Sequence, residues 1–374
     1  MEYVKGGKTF LIVDESNLVK NHRAKRTQNI IRLSKICHYK LILNGTPVSR
    51  NEVDLFLQWY ILDWRILGYQ SFWSFAANHI EWDDRIPGRV RRCLNVDYLV
   101  RKIAPYTYQI TKAELIQQKL LPLLSKNNFV EYYQMTEEQE WHYYEIADKL
   151  MFSLDDYESG EIYRLFAGLQ DVISGYYVTV GKHLKRSPFF SSPFDNPRIK
   201  TLLSLIDIDE KYIIFCKYTD EINTIVSILN KKYGEDIAAP FNGDINLKKR
   251  AENIEKFRNK SNFLVANKQC GAYGLNLQFC HNIIYYTNDW DYATRAQSED
   301  RIYRIGQEKN AYITDICAQK TLDERILNCL THKENLVDSF KCQLEIQKDK
   351  KEFLSNWIKV KKDVNDDGRK NLYK

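Results

Sequence analysis

Thr9-Phe-Leu-Ile-Val13-Asp14-Glu15 is the stretch on which the fold class turns. An apolar run with no polar alternation suits a strand buried on both faces of a parallel sheet. Downstream, Ile30, Ile31, Leu33 and Ile36 predict a helix over about 22–36. Residues 40–43 read as a second buried strand, closed by Gly45-Thr46-Pro47. Strand, helix, strand in that order points to an open α/β sheet. A parallel strand delivers its last residues to the sheet's carboxyl edge, where ligands bind. A carboxylate there can hold Mg2+ through water, and its neighbour can orient an attacking water. Alone, an acidic pair after an apolar run reads as a helix N-cap; its setting strengthens the functional reading.

Working outward, residues 50–177 crowd aromatics (Trp59, Tyr60, Trp64, Tyr69, Phe72, Trp73, Phe75) at helical spacings that fit core packing. One strand is predicted at 129–133, before a long helix starting near Thr136, where Thr136-x-x-Gln139 has capping-box spacing. Residues 185–197, with three prolines and three serines, read as a linker. A second α/β unit follows, with strands at 212–216, 238–241, 263–266, 282–286 and 312–316 and helices at 219–232 and 247–258. The alternation is what a parallel sheet with right-handed crossovers needs. The tail from Lys341 to Lys374 has ten basic and six acidic residues and reads as a solvated helix fraying at Asp366-Asp367-Gly368.

The 374 residues suit two domains. With 44% hydrophobic and 28% charged residues the chain is too apolar to be disordered. A net charge of +6 permits a polyanionic partner without demanding one. The eight cysteines form no Cys-x-x-Cys pair, so they read as core residues in a reducing compartment rather than metal ligands. The N-terminus has no signal-peptide core, and no apolar run reaches the roughly 20 residues a bilayer requires. These features exclude secreted disulfide scaffolds and helical membrane proteins, and favour an intracellular protein.

Three further motifs carry chemistry. Asn44-Gly45-Thr46-Pro47 is a sharp turn at a strand end that exposes Thr46. Cys270-Gly-Ala-Tyr-Gly-Leu-Asn-Leu-Gln278 sets two glycines ahead of a polar pair, which lets backbone approach a phosphate. Gln297-Ser-Glu-Asp-Arg-Ile-Tyr-Arg-Ile-Gly-Gln307 places Arg301 and Arg304 three apart, on one face if helical. Paired guanidinium groups could stabilise charge that builds up during phosphoryl transfer. A solvated helix with Glu299 and Asp300 as partners would explain the charges but not the string Arg-Ile-Gly-Gln.

Together the motifs resemble, in order and spacing over residues 9–326, the Swi/Snf-type superfamily-two helicase-like ATPases. Asp14-Glu15-Ser-Asn-Leu-Val-Lys20-Asn21 resembles their DEAH-type Walker B motif, and Asn44 to Pro47 the third motif. Residues 212–218 resemble the fourth, Gly271 to Gln278 the fifth, and Gln297 to Gln307 the sixth, with Asp289-Trp290 just upstream. Asn242-Gly243-Asp244 with Arg250 and Phe257 resembles the segment after the fourth. The resemblance implies two RecA-like parallel-sheet lobes, ATP with Mg2+ between them, and double-stranded DNA gripped by its backbone. It implies that Asp14 holds Mg2+ and Glu15 positions the hydrolytic water. It also implies that Gln297, Arg301 and Arg304 reach the phosphates, that Gly271, Gly274 and Asn276 line the nucleotide side, and that Thr46 and Arg250 serve nucleic acid and coupling.

Asn17 stands where the family has His, and Ala272 where it has Gly. Only 13 residues precede Asp14, too few for the family's phosphate loop. Gly6-Gly7-Lys8-Thr9 does not supply that loop, because it opens a strand rather than a helix. The expected organisation is therefore the rear of a first lobe (1–60), a helical insertion and linker (61–197), a complete second lobe (198–335) and a basic tail (336–374). The expected function is that of the rear portion of a DNA translocase or helicase: either the chain is a fragment, or a separate polypeptide supplies the Walker A half, or the activity is lost. The alternative is a non-catalytic nucleic-acid-binding fragment or adaptor. The expected setting is the cytoplasm of a bacterium or of a virus-infected host, or the nucleus.

Overall fold

The computed structural model describes residues 8–45, 47–48, 52–82, 90–119, 124–152, 159–181, 183–267, 275–290, 292–304, 306–332, 336–345, 347 and 349–358. The chain divides into two compact units, Met1–Glu114 and Leu115–Lys374.

In the first unit, β1 (Phe10–Val13) pairs in parallel with β2 (Tyr39–Ile42), in the register Phe10 to Tyr39 and Val13 to Ile42. The crossover carries α1 (Lys25–Ser34). Alternation along the strands sends Leu11, Val13 and Ile42 toward Val19, Ile30, Ile31 and Ile61. The opposite face is open. Phe10 is 58% and Ile12 54% exposed, and Tyr39 and Leu41 lie exposed beside them. The expectation of burial on both faces is thus corrected: among the described residues, apolar packing covers one side only. Next comes α2 (Leu55–Leu62), apolar around most of its circumference, with Leu55, Phe56, Leu57, Trp59 and Ile61 buried. Its Phe56 meets Phe75 at 4.9 Å, and the predicted aromatic crowd forms a core with Ile66, Leu67 and Leu99, although Trp73 remains 62% exposed. An antiparallel pair, β3 (Ile80–Trp82) with β4 (Val90–Cys93), completes the described strands of this unit.

The second unit is built on β5 (Lys126–Tyr133), β8 (Tyr212–Cys216), β9 (Ala238–Phe241), β10 (Phe263–Asn267), β11 (Asn282–Tyr285) and β12 (Ala311–Ala318). They form one six-stranded parallel sheet in the order β5-β12-β11-β8-β10-β9. Here the all-apolar runs are buried on both faces. Ile214, Cys216, Val265, Ile284 and Ile316 point into one core, and Ile213, Phe215, Leu264, Ala266 and Ile313 into the other.

Three expectations change. Strand β5, expected inside a helical insertion, is the sheet's edge and pairs with β12 over eight residues. The helices Glu137–Phe152 and Ser159–Ile173 bury Tyr143, Ile146, Leu165 and Phe166 in the same unit, so the compact division falls at 114/115 rather than 197/198. The expected linker holds β7 (Lys185–Pro188), antiparallel to β6 (Tyr176–Thr179), and Asn196, whose side chain caps the helix Pro197–Leu205. The tail is packed at its start. Phe340, Leu354, Trp357 and Ile358 are buried, with Trp357 stacked on Phe166 at 5.3 Å. Asp366-Asp367-Gly368 lies outside the described residues. No described helix is long and apolar enough to cross a membrane.

Candidate functional site

In the first unit the chain leaves β1 through Asp14, which is exposed, into Glu15, whose backbone is left-handed (φ 51°, ψ 52°). That conformation costs a non-glycine residue about 1–2 kcal/mol. Bonds on either side hold it. The Glu15 N–H donates to Asp14 Oδ1 (2.9 Å), the Ser16 N–H to the Leu43 carbonyl (3.1 Å), and the Leu18 N–H to the Glu15 carbonyl (2.9 Å).

The side chains behind this turn fasten it to the turn after β2. Ser16 is fully buried and its Oγ donates to Gln58 Oε1 (2.7 Å). Asn44 Nδ2 donates to the same oxygen (3.1 Å) and to Ser16 Oγ (3.3 Å). Gln58 Nε2 donates to the carbonyls of Pro47 (2.7 Å) and Asp54 (2.8 Å), and Lys20 pairs with Asp54 (3.1 Å). One glutamine of α2 therefore holds the Asp-Glu turn against the Asn-Gly-Thr-Pro turn. Sequence reasoning missed this bracket. Its signal is the lone polar residue in Leu55-Phe-Leu-Gln-Trp-Tyr-Ile-Leu62. Thr46 itself lies outside the described residues.

In the second unit, Lys217 sits at the carboxyl end of β8. Its Nζ lies 3.7 Å from the centre of the Trp290 ring and donates to Gln170 Oε1 (2.5 Å). The Trp290 indole N–H donates to the same oxygen (3.1 Å). Burial pushes the Lys217 ammonium down to about 8, against the pull of Asp289 and Asp171. The segment resembling the fourth motif is thereby joined to Asp289-Trp290, through two residues that sequence reasoning did not single out.

The helix Tyr292–Glu299 carries Gln297, and a buried charge network anchors it. Arg295 donates to both oxygens of Asp315 on β12 (2.6 and 2.8 Å), to Glu299 Oε1 (2.8 Å) and to Asn288 Oδ1 (3.0 Å). Its guanidinium lies over Tyr285 of β11 at 4.0 Å, and Lys126 of β5 closes the network on Glu299. Three strands thus fix one short helix. The surrounding carboxylates hold the Arg295 guanidinium charged despite its burial.

The helix ends at Glu299, so Arg301 and Arg304 lie in the turns that follow rather than on one helical face, which corrects that expectation. Arg304 is exposed and makes no ion pair among the described residues; the alternative partnership with Asp300 is not formed. Arg301 is half-buried, and its carbonyl accepts the Leu277 N–H (3.3 Å), which ties the fifth motif to the sixth. Gly306 adopts φ +93°, and a Cβ there would stand 2.6 Å from Gln278 Nε2. Gln307 is buried and donates to the carbonyls of Cys280 (3.0 Å) and Ile302 (3.1 Å). The string Arg-Ile-Gly-Gln therefore shapes and clamps this turn.

Asn276 lines a cavity of about 330 Å3 with Gln278, Gly306 and Gln307, while Gly271 and Gly274 lie outside the described residues. Arg250 turns back on its own loop, donating to the carbonyls of Ile245 (2.7 Å) and Gly243 (2.8 Å). Among the described residues no three His, Cys, Asp or Glu side chains gather as a metal cluster. Asp14, a single exposed carboxylate at a strand end, fits a Mg2+ that keeps most of its waters.

Two family models match in chain order: the SNF2-related domain over residues 2–173 and the helicase conserved C-terminal domain over residues 197–306. The chain belongs to the Swi/Snf family. This Swi/Snf chain is similar to the SWI/SNF-related matrix-associated actin-dependent regulator of chromatin subfamily A-like protein 1 of Drosophila melanogaster. They are 24% identical over 341 residues, covering 88% of this chain and 41% of that protein. It is also similar to an uncharacterized ATP-dependent helicase of Mycoplasma pneumoniae, 23% identical over 333 residues, covering 88% of this chain and 30% of that one. Among solved structures, the Sulfolobus solfataricus SWI2/SNF2 ATPase core in complex with dsDNA matches with a TM-score of 0.49 and 21% identity, over 97% of this chain and 75% of that one. The Swi/Snf chain spans about a third of the length of the curated relatives it matches.

Proposed function

We propose that this chain is part of an ATP-driven translocase that moves along double-stranded DNA, contributing the hydrolytic carboxylates of the first lobe and the arginines of the second. The observation that carries this reading is the Asp14-Glu15 turn. An exposed carboxylate and a left-handed glutamate stand at the carboxyl end of β1, fastened through Ser16 and Gln58 to the turn after β2. When bound, Mg2+ supplies neutralising charge to the phosphates of ATP. Asp14 holds that ion through water, and Glu15 orients the attacking water and accepts its proton. Arg304, exposed and unpaired among the described residues, offers a forked donor to the phosphate charge that builds up, with Arg301 and Gln297 in support. Asn276, Gly271 and Gly274 serve the nucleotide side, while Thr46 and Arg250 belong to the coupling path.

The test is ATP hydrolysis by this chain joined to the phosphate-loop half of a family member's first lobe, with and without duplex DNA. Turnover should rise with DNA and fall about 10²–10⁴-fold in Glu15→Gln, with ATP still bound. Equal turnover in Glu15→Gln would refute the assignment.

A further inference from the structure

The sequence from Ser16 to Asn51 contains eight Lys and Arg and no Asp or Glu, a larger excess than the +6 of the whole chain. Two of the eight are spent inside the fold: Lys20 on Asp54 and Lys40 on the Leu62 carbonyl. Arg23, Lys25, Arg26, Arg32 and Lys35 are exposed, and none makes an ion pair among the described residues. In the second unit, by contrast, surface cations stand beside acids: Lys149 with Glu145, Lys249 with Glu252, Lys256 and Lys260 with Asp236. A mixed, solvated surface therefore does not describe α1.

Helix geometry fixes which way these charges face. Thr27 and Ser34 are buried and Ile30 and Ile31 pack into the core, which turns Lys25, Asn29 and Arg32 outward. Lys25 and Arg32 are two turns apart, about 10 Å along the axis, and Lys35 extends the row. That length spans roughly three phosphates of one DNA strand. The first turn of α1 has no acidic residue and carries Lys25 and Arg26, against the preference of a helix for negative charge at that end. A lipid surface fits poorly, because membrane helices sink an apolar face into the bilayer and the apolar face of α1 is already used in the core.

We propose that the outward face of α1, with Arg23 before it and Lys35 after it, docks the phosphate backbone of duplex DNA. The proposal rests on the DNA-translocase reading above and adds a contact surface to it.

The experiment is fluorescence anisotropy of the full chain with a 20-bp duplex of arbitrary sequence, titrated from 50 to 200 mM salt. The test variant is Lys25→Ala/Arg32→Ala/Lys35→Ala. The control, Lys200→Ala/Lys231→Ala/Lys248→Ala, removes the same charge from exposed positions of the second unit. The test variant should bind at least about tenfold more weakly and flatten the slope of log K against log salt by about 2.7, while the control moves both far less. Replacing Lys25 by Glu in that variant should weaken binding further while raising the melting temperature, which separates lost contact from lost folding. Equal weakening in test and control overturns the proposal, because only net charge then matters. So does loss of binding to phosphatidylserine vesicles with duplex affinity intact, which would assign the face to lipid. A wild-type chain that does not bind the duplex overturns both this proposal and the DNA part of the reading beneath it.

Discussion

Replacing Arg295 with Met should destabilise the second unit by about 3–5 kcal/mol, the cost of breaking a buried ion pair from one side. Met keeps the reach of the side chain and removes four donated hydrogen bonds, two of them to Asp315. Glu299 keeps its pairing with Lys126, so most of the loss falls on Asp315, which is 1% exposed and retains the Asn288 amide at 2.6 Å. With its cation gone, the Asp315 carboxylate is left buried with the Asn288 amide as its remaining side-chain donor among those that held it. Adding Asp315→Leu removes the stranded charge and should recover most of the loss, less about 1–3 kcal/mol for the Asn288 donor left behind. Urea denaturation at pH 8 followed by far-ultraviolet circular dichroism measures all of this. A deficit below about 1 kcal/mol at pH 8, or a double variant no better than the single one, would refute the account of Arg295 as the anchor of its helix.

In the rebuilt ATPase, Arg304→Ala should lower kcat by about 10³–10⁵ with little change in duplex affinity, and Arg304→Lys should rescue poorly, since an ammonium cannot make the forked contact. Wild-type kcat in Arg304→Ala would make that arginine structural. Lys217 titrates near 8 in the folded chain and about 10.5 in the unfolded one, so the unfolded state holds more protons between those values. Its contribution to stability should therefore rise with pH across that window, at most by about 1.4 kcal/mol per unit. The difference between wild type and Lys217→Met, taken from urea curves at several pH values, should show that rise; a flat difference would place Lys217 in a more solvated setting.

Five sheet strands of the second unit were legible within two residues at their ends because each is a short apolar run bounded by turn or helix signals. Strand β5 was seen as a strand, but its place was not, since its partner lies about 185 residues downstream and pairing at that distance leaves no local mark. Prolines and serines in 185–197 read as a linker because the same residues serve a two-stranded ribbon and a helix cap. At the candidate site, Asp14, Glu15 and the two arginines stand out as charges in motifs. Gln58, Gln170, Lys217 and Arg295 act through tertiary contacts, and each looks ordinary in its own stretch. The exposed face of β1 was misread because an apolar pentapeptide tells which residues avoid water, not how many layers cover them.

The pairing of β5 with β12 also bears on how the protein is made. At roughly 5–20 residues per second, a ribosome delivers Lys126 some 10–40 s before Ala311, the first residue it pairs with. Strands β8 to β11 can assemble in that interval, while β5 waits with its hydrogen-bonding edge toward β12 unclaimed. Newly synthesised chains therefore pass through a period in which an early strand is open to chaperones or to other nascent chains. Slowing translation between residues 134 and 310 would lengthen that exposure without altering a single native contact.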